Sequence, residues 1–380
     1  MEDHNLKLLH VVTLHSSDNA FGGPVRVALN LATELKKHGN DVKLLAGSRG
    51  LPQIDFIEGI PCHLFPVHNL NSHLGFSGLF SWKLWVWAWR NVKIFDVVHV
   101  HLARDLITLP VALIALVRGV PFVIQTHGMI DSTQKVLGRV LDVLATRRLM
   151  RRAARILYLT SYEEGNLKEV SRNRHATMSF FPNGVPESSI ADVQQATFIS
   201  FISRLQKRKH PELFVQMASI LDREHQEFEF RIAGPDEGEL EQTLEAMRRT
   251  TLGSKIAYLG ALNHDGVLEL LSKTKVLVLP SVDEIFPMII LEALSVGVPV
   301  VITEFCGLAK YIAKGEAGIV TDGTPEKMAL AVQIISSDFN RFSMSAKELS
   351  ASTFSMKHIM DLLNDFYDSA MNGEPKNQSS

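Results

Sequence analysis

Residues 276–303, VLVLPSVDEIFPMIILEALSVGVPVVIT, decide how this chain is read. VLVLP is a short apolar run rich in β-branched residues and closed by Pro280, the pattern of a buried parallel strand. VPVVIT repeats that pattern after an intervening PMIILEALSV, which reads as a helix ending at Gly297. Strand, loop, helix and strand make one βαβ unit, and open α/β sheets bind ligands outside the carboxyl ends of their strands. That edge carries Asp283 and Glu284 in the loop, then Glu292 about a turn and a half into the helix, where the helical period can aim it the same way. Helix N-terminal amides point to this edge as well and favour a phosphate or a polarised sugar oxygen. Taken alone, the two glutamates also fit a dipole-favoured acid and an ordinary surface residue.

The longer string P-S-x-x-E-x-F-P-x-x-x-x-E-A-L-x-x-G-x-P-V-V is more specific. It resembles the E-x7-E signature of retaining, GT-B-fold glycosyltransferases of family 4, the glycosyl transferases group 1. The resemblance implies that Glu284 contacts donor-sugar hydroxyls, that Glu292 holds the nucleotide ribose, and that the backbone at Phe286, Pro287 and Met288 faces the sugar. Pro287 stands where many members have glycine and removes one backbone donor from that loop.

A chain of 380 residues fits two domains, and 46% hydrophobic with 21% charged residues is an ordinary globular composition. The net charge of −2 conceals an asymmetry: residues 1–190 carry 21 Lys+Arg against 15 Asp+Glu, and residues 191–380 carry 18 against 26. The basic half is the better candidate for an anionic partner or surface. Cys62 and Cys306 are too few for a disulfide framework or a thiolate metal site, which points to a reducing cytosol. MEDHNLKLLHVV has acids before its apolar run and does not read as a secretory signal, and the apolar run at residues 106–117 is too short to span a bilayer.

In the first half, residues 6–14 (LKLLHVVTL) read as a buried strand, followed by HSSDNAFGGP and the helical pattern VRVALNLATELKKHG. Gly22 and Gly23 in that turn allow close backbone approach to an anion, and their place after the first strand resembles the family's glycine-rich loop, which faces the donor diphosphate. All four tryptophans lie in residues 82–89, within an aromatic-apolar segment that fits either a core helix or a surface touching membrane or a lipid-linked acceptor. DVVHVH is a strand whose His99 and His101 share a face; the pair is a polar strand end or, with no carboxylate or thiolate beside it, a weak metal site. PFVIQTHGM ends a further strand in a string that resembles the family's T-x-HG segment, which implies that His127 touches the donor sugar near the reacting carbon. Residues 136–155 read as one amphipathic helix bearing Arg139, Arg147, Arg148, Arg151, Arg152 and Arg155, either a solvated basic face or a surface for anionic headgroups. Ser161 with Glu164 reads as the capping box of the next helix. FFPNGVP marks the exit from the domain.

The second half opens on ATFISFISRLQKRKHP, a strand running into Arg204 and Lys209, where a diphosphate leaving group needs positive charge. R-L-x-x-x-K resembles the family's diphosphate-binding pair, although Ser203 and His210 replace the usual glycines. Gly234 follows another strand, and the family reads the base through backbone at Gly260 and Ala261. The expected fold is α/β GT-B: two Rossmann-like, doubly wound domains facing each other across a cleft. Residues 1–190 form the acceptor-side domain and residues 191–354 the nucleotide-sugar domain; the helix at 355–371 packs back on the first, and 372–380 form a disordered tail.

The resemblance implies transfer of a sugar from a nucleotide-diphosphate donor, a UDP- or GDP-sugar, to an acceptor hydroxyl with retention. His127 and Glu284 are the candidate catalytic residues. No Asp-x-Asp occurs in the sequence, so a basic pair in place of a divalent ion implies metal-independent chemistry without a cofactor. The aromatic cluster and basic helix favour lipid-linked polysaccharide assembly on the inner face of a bacterial cytoplasmic membrane, with no nucleic-acid partner. The rival readings are a GT-B nucleotide-sugar epimerase and a non-catalytic nucleotide-sugar-binding subunit.

Overall fold

The computed structural model describes residues 5–16, 22–52, 54–70, 77–132, 136–186, 196–224 and 228–372. They form two compact units, Met1–Gly184 with Met356–Ser380, and Val185–Ser355. The linker expected near residue 190 and the tail after Asn372 lie outside the described residues.

The first unit is built on an eight-stranded sheet in the spatial order Met178–Phe180, Arg155–Tyr158, Phe122–Gln125, Val97–His101, Lys7–Ser16, Asp41–Arg49, Ile60–Pro66 and Phe56–Ile57. All neighbours are parallel except the last pair. Leu8, Leu9, Val11 and Val12 are at most 1% exposed, which is why the first strand reads as a continuous apolar run rather than an alternating one. The order reverses between Lys7–Ser16 and Val97–His101, so connections leave to opposite sides of this junction.

Three expectations change here. The Gly22–Gly23 pair lies in the first turn of the helix Gly22–Lys37, with Pro24 tolerated because first-turn amides have no intrahelical acceptor; residues 17–21 fall outside the described set. The basic helix runs without a break from Val136 to Arg152, with a π-helical stretch at Asp142–Thr146 between two α-helical ones, but it stops short of Arg155, which begins a strand. Arg155 is buried, stacks 4.7 Å from the Phe366 ring and donates to Ser179 and Ser369. The cap of Ser161–Ser171 is Thr160, whose hydroxyl accepts from Glu163 N, so the capping pair sits one residue earlier than the pattern suggests.

Two of the tryptophans pack inward and two are exposed. On the helix Trp82–Asn91, Leu84 and Ala88 are fully buried, Trp85 Nε1 donates to Leu106 O, and Trp87 lies 4.4 Å from His63. Trp82, Val86 and Trp89, spaced along one stripe, are exposed.

The second unit has a six-stranded parallel sheet in the order Ile256–Tyr258, Glu229–Ala233, Phe198–Ile202, Thr274–Leu279, Val300–Thr303 and Gly318–Thr321. Its reversal falls between Phe198–Ile202 and Thr274–Leu279. Met288–Ser295 is the helix of the opening motif, and Gly297 follows it with φ 82°. A Cβ there would stand 2.5 Å from Lys347 Cε, the end of a side chain that can swing aside, so the backbone conformation is what calls for glycine. The helix Met356–Asn372 belongs to the first unit and buries Ile359, Leu363, Phe366 and Tyr367. Among the described residues no helix is long and apolar enough to cross a membrane.

Candidate active site

In the second unit the two strands at the reversal send out the loops that carry the candidate charges. Phe198–Ile202 leads through Arg204 into the short turn Lys207–Lys209, and Thr274–Leu279 leads into residues 280–287. The loops are laced together: Val282 N donates to Arg208 O at 2.9 Å, and Arg208 Nη1 donates to Asp283 O at 3.2 Å. Lys209 Nζ is paired with Glu284 Oε1, and Arg208 Nη1 lies 3.3 Å from the same oxygen. Lys209 is 6% and Glu284 8% exposed, so this pair is nearly withdrawn from water. Burial pushes the Lys209 ammonium pKa down, and the Glu284 carboxylate opposes that shift. Lys207 is exposed, so the structure selects Lys209 as the lysine that meets Glu284. His210, where a glycine was expected, adopts φ 52°, the left-handed conformation glycine serves most cheaply.

Glu284 is fixed from its other side by Gly307, whose N–H donates to Glu284 O at 2.7 Å. Burial pushes the adjacent Cys306 thiol up to about 12, which keeps it protonated at neutral pH. Pro287 is the N-cap of Met288–Ser295, and no side chain caps that end. Phe286 is buried edge-on against Phe354 at 5.9 Å.

Arg204 pairs with Glu237 at 2.8 Å and stands in a row of turns with Gly234 and Gly260. Gly234 N donates to Gly260 O, Tyr258 Oη donates to Gly234 O, and Ser203 N donates to Ala233 O. Gly234 has φ 147°, and a Cβ on it would sit 1.9 Å from Ser203 O, a position only glycine can fill. Beyond Gly260, the helix His264–Ser272 is capped by Asn263 and brings His264 Nδ1 to 4.0 Å from Glu292 Oε1. His264 was not singled out by the sequence, because only the fold places it beside a helix from a different βα unit.

In the first unit His127 follows the strand Phe122–Gln125 in a tight turn with φ 50°, and Gly128 has φ 73°. Glu163 holds this turn. It is 1% exposed and its carboxylate accepts from Thr126 Oγ1, Gly128 N and Leu159 N, while burial raises its pKa. His99 and His101 are 1% exposed, a buried pair rather than a polar strand end. Among the described residues no group of three or more His, Cys, Asp or Glu is placed to hold a metal ion. Gly22 and Gly23 open their helix, and a Cβ on Gly23 would meet nothing within 4 Å, so packing does not require that glycine.

Two Rossmann-like units, each built on a doubly wound and largely parallel sheet, are the architecture of the GT-B fold. The model of the glycosyl transferases group 1 matches residues 188–346 and that of Glycosyltransferase Family 4 matches residues 21–189. The chain belongs to this family, and its activity is sugar transfer. It is 26% identical over 332 residues to alpha-D-kanosaminyltransferase of Streptomyces kanamyceticus, covering 79% of this chain and 85% of that one. The fold matches Anabaena HepE, crystallised with UDP and glucose, with a TM-score of 0.71 at 16% identity over 96% of this chain and 100% of that one. It also matches pneumococcal O-GlcNAc transferase GtfA, crystallised with UDP and GlcNAc, with a TM-score of 0.73 at 11% identity over 97% of this chain and 100% of that one.

Proposed function

We propose that the protein is a retaining, metal-independent glycosyltransferase that moves a sugar from a nucleoside-diphosphate donor to an acceptor hydroxyl. The observation that carries this reading is the Lys209–Glu284 pair at the reversal of the second sheet, with Arg208 beside it. A departing diphosphate needs cations that are already desolvated and held in place, and Lys209 meets both conditions. Arg204 adds charge one turn away, and Glu284, released by the incoming phosphate, is free to accept donor-sugar hydroxyls. Glu292 and the Gly260 turn serve ribose and base, and His127 keeps the sugar-contacting role that the family resemblance implies. UDP in the crystals of HepE and GtfA favours a UDP-sugar as the first donor to try.

Thermal unfolding with UDP, GDP and ADP and their sugars, with and without EDTA, tests the donor site. A shift selective for one nucleotide and indifferent to EDTA is the expected result. No shift with any nucleotide overturns the reading. Product analysis by proton NMR then reports the anomeric configuration, and inversion sinks the stereochemical part.

The acceptor we propose is a lipid-linked glycan at an anionic membrane face, in cell-surface polysaccharide assembly. Trp82, Val86 and Trp89 are exposed beside Lys83, Arg90 and Lys93, and Val140, Val143 and Leu144 are exposed beside Arg139 and Arg148. Sedimentation with vesicles of anionic and of neutral lipid tests this; failure to bind the anionic ones removes the membrane and leaves the donor site standing.

A further inference from the structure

The sheet that carries His127 also carries three other histidines in line with it. His10 lies opposite His99 across the central strand pair, and His101 follows two residues after His99 on the same face. His99 and His101 stack at 4.7 Å, and His101 and His127 stack at 5.0 Å with rings 10° apart. Hydrogen bonds run through them end to end. His127 Nε2 meets His101 Nδ1 at 2.7 Å, and His101 Nε2 meets His10 Nδ1 at 3.2 Å. His10 Nε2 meets the Tyr367 hydroxyl at 3.2 Å, and that hydroxyl meets His99 Nδ1 at 2.7 Å. Tyr367 comes from the helix Met356–Asn372 and is fully buried.

Burial keeps these rings neutral: it holds His10 and His101 well below the usual imidazole range and brings His99 and His127 down to about 3. A neutral imidazole has one N–H and a phenol one O–H, so a chain in which every link is made has only two proton orderings. The inner end selects between them. His99 Nε2 and Gln125 Oε1 are both buried and each lacks a hydrogen-bond partner, and the Gln125 side chain favours a proton on His99. Gln125 Nε2 is directed at Asn183 Oδ1, which leaves its oxygen for His99. An amide oxygen only accepts, so of the two orderings the one that offers a donor to this orphaned oxygen puts the His99 proton on Nε2 and has Nδ1 accept from Tyr367. Tyr367 then accepts from His10 Nε2–H, His10 from His101 Nε2–H, and His101 from His127 Nε2–H. The remaining nitrogen of His127, Nδ1, is left with its lone pair.

We propose that His101, backed by His10, Tyr367 and His99, is a positioning residue that locks His127 in the Nε2–H tautomer, so that His127 offers Nδ1 to a sugar hydroxyl as an acceptor. The sugar-facing half of this statement rests on the proposed function; the tautomer does not. The full chain labelled with ¹⁵N-histidine reports ring protonation by NMR, and loss of one signal set in His127→Asn assigns His127. The wild type is expected to show His127 protonated at Nε2 with Nδ1 bare. Tyr367→Phe, which removes the hydroxyl and keeps the ring, is expected to turn this into a mixture of tautomers. It should lower kcat about fivefold, the weight of one neutral hydrogen bond, with the donor KM unchanged. His101→Phe is the second variant, keeping the ring stack while breaking the first link. A wild-type His127 protonated at Nδ1 or at both nitrogens overturns the proposal, as does a tautomer that neither variant shifts. A tautomer that shifts while kcat stays constant overturns the role of His127 in transfer instead, because the NMR measurement uses no donor.

Discussion

Lowering the pH from 7 to 5 is expected to destabilise the first unit by about 5 kcal/mol, the size of a small domain's whole stability. The cause is the three histidines that are most deeply buried, His10 at 0% exposure and His99 and His101 at 1% each. Their folded pKa values lie well below the ordinary value of 6.5, that of His99 at about 3. The unfolded chain therefore binds protons below pH 6.5 that the folded unit refuses, and stability falls as the pH drops through that value towards 3. Each histidine costs about 1.4 kcal/mol per pH unit, hence about 2 kcal/mol at pH 5, and three cost about 6. Asp105 acts in the opposite direction. Burial raises its pKa from 3.8 to about 6, so protonation below pH 6 favours the fold. That returns about 1 kcal/mol by pH 5. All four tryptophans lie in the first unit, so tryptophan-detected urea unfolding at pH 7, 6 and 5 follows this unit alone. An unfolding free energy that is flat across this range refutes the reasoning, since the rings would then be charged in the fold or open to water.

Gly234→Ala should cost about 3 kcal/mol, because the new methyl meets the Ser203 carbonyl at 1.9 Å, whereas Gly23→Ala should leave stability unchanged or raise it by about 0.5 kcal/mol. Urea midpoints compare the two, and UDP affinity lost in a stable Gly23→Ala protein would locate the diphosphate at that helix end. Lys209→Met removes the closer of the two cations facing Glu284 and should cost about 2 kcal/mol, less than a fully stripped buried pair because Arg208 stays at 3.3 Å. The same variant should abolish the nucleotide-induced thermal shift; a retained shift would remove Lys209 from the diphosphate site. Glu163→Gln places an amide where Thr126, Gly128 and Leu159 donate and should cost about 2 kcal/mol and slow transfer about tenfold as the His127 turn loosens. Unaltered rate and stability together would show that the turn holds itself.

The apolar runs placed the strands because parallel strands are buried on both faces and leave unbroken hydrophobic words such as VLVLP. The signature around Glu284 and Glu292 was equally visible, because its residues lie within one βαβ unit. What escaped depends on contacts between distant segments. Arg155 continued a helical periodicity from residue 136, but its partners Ser369 and Phe366 are more than 200 positions on, and they hold it in a strand. His99 and His101 looked like a polar strand end because nothing local announces that Tyr367 covers them, 268 residues from His99. Glu163 reads as an ordinary first-turn acid until the Thr126 turn is brought against it. The capping pair was displaced by one residue because Thr160 and Ser161 are both good caps, and only the extended backbone at Thr160 separates them.

The Lys209–Glu284 contact, with Arg208 beside it, balances the buried charge of these loops within the second unit itself. On the proposed function, a phosphate that draws the lysine away leaves the carboxylate to Arg208 and to whatever hydroxyl groups arrive with it. An intact sugar nucleotide brings both, and a bare nucleoside diphosphate brings only the first. Once its sugar is gone, the diphosphate competes with a carboxylate that is permanently tethered beside the same ammonium group. On the proposed function, the pair is a latch that grips the whole donor and loosens on the spent half.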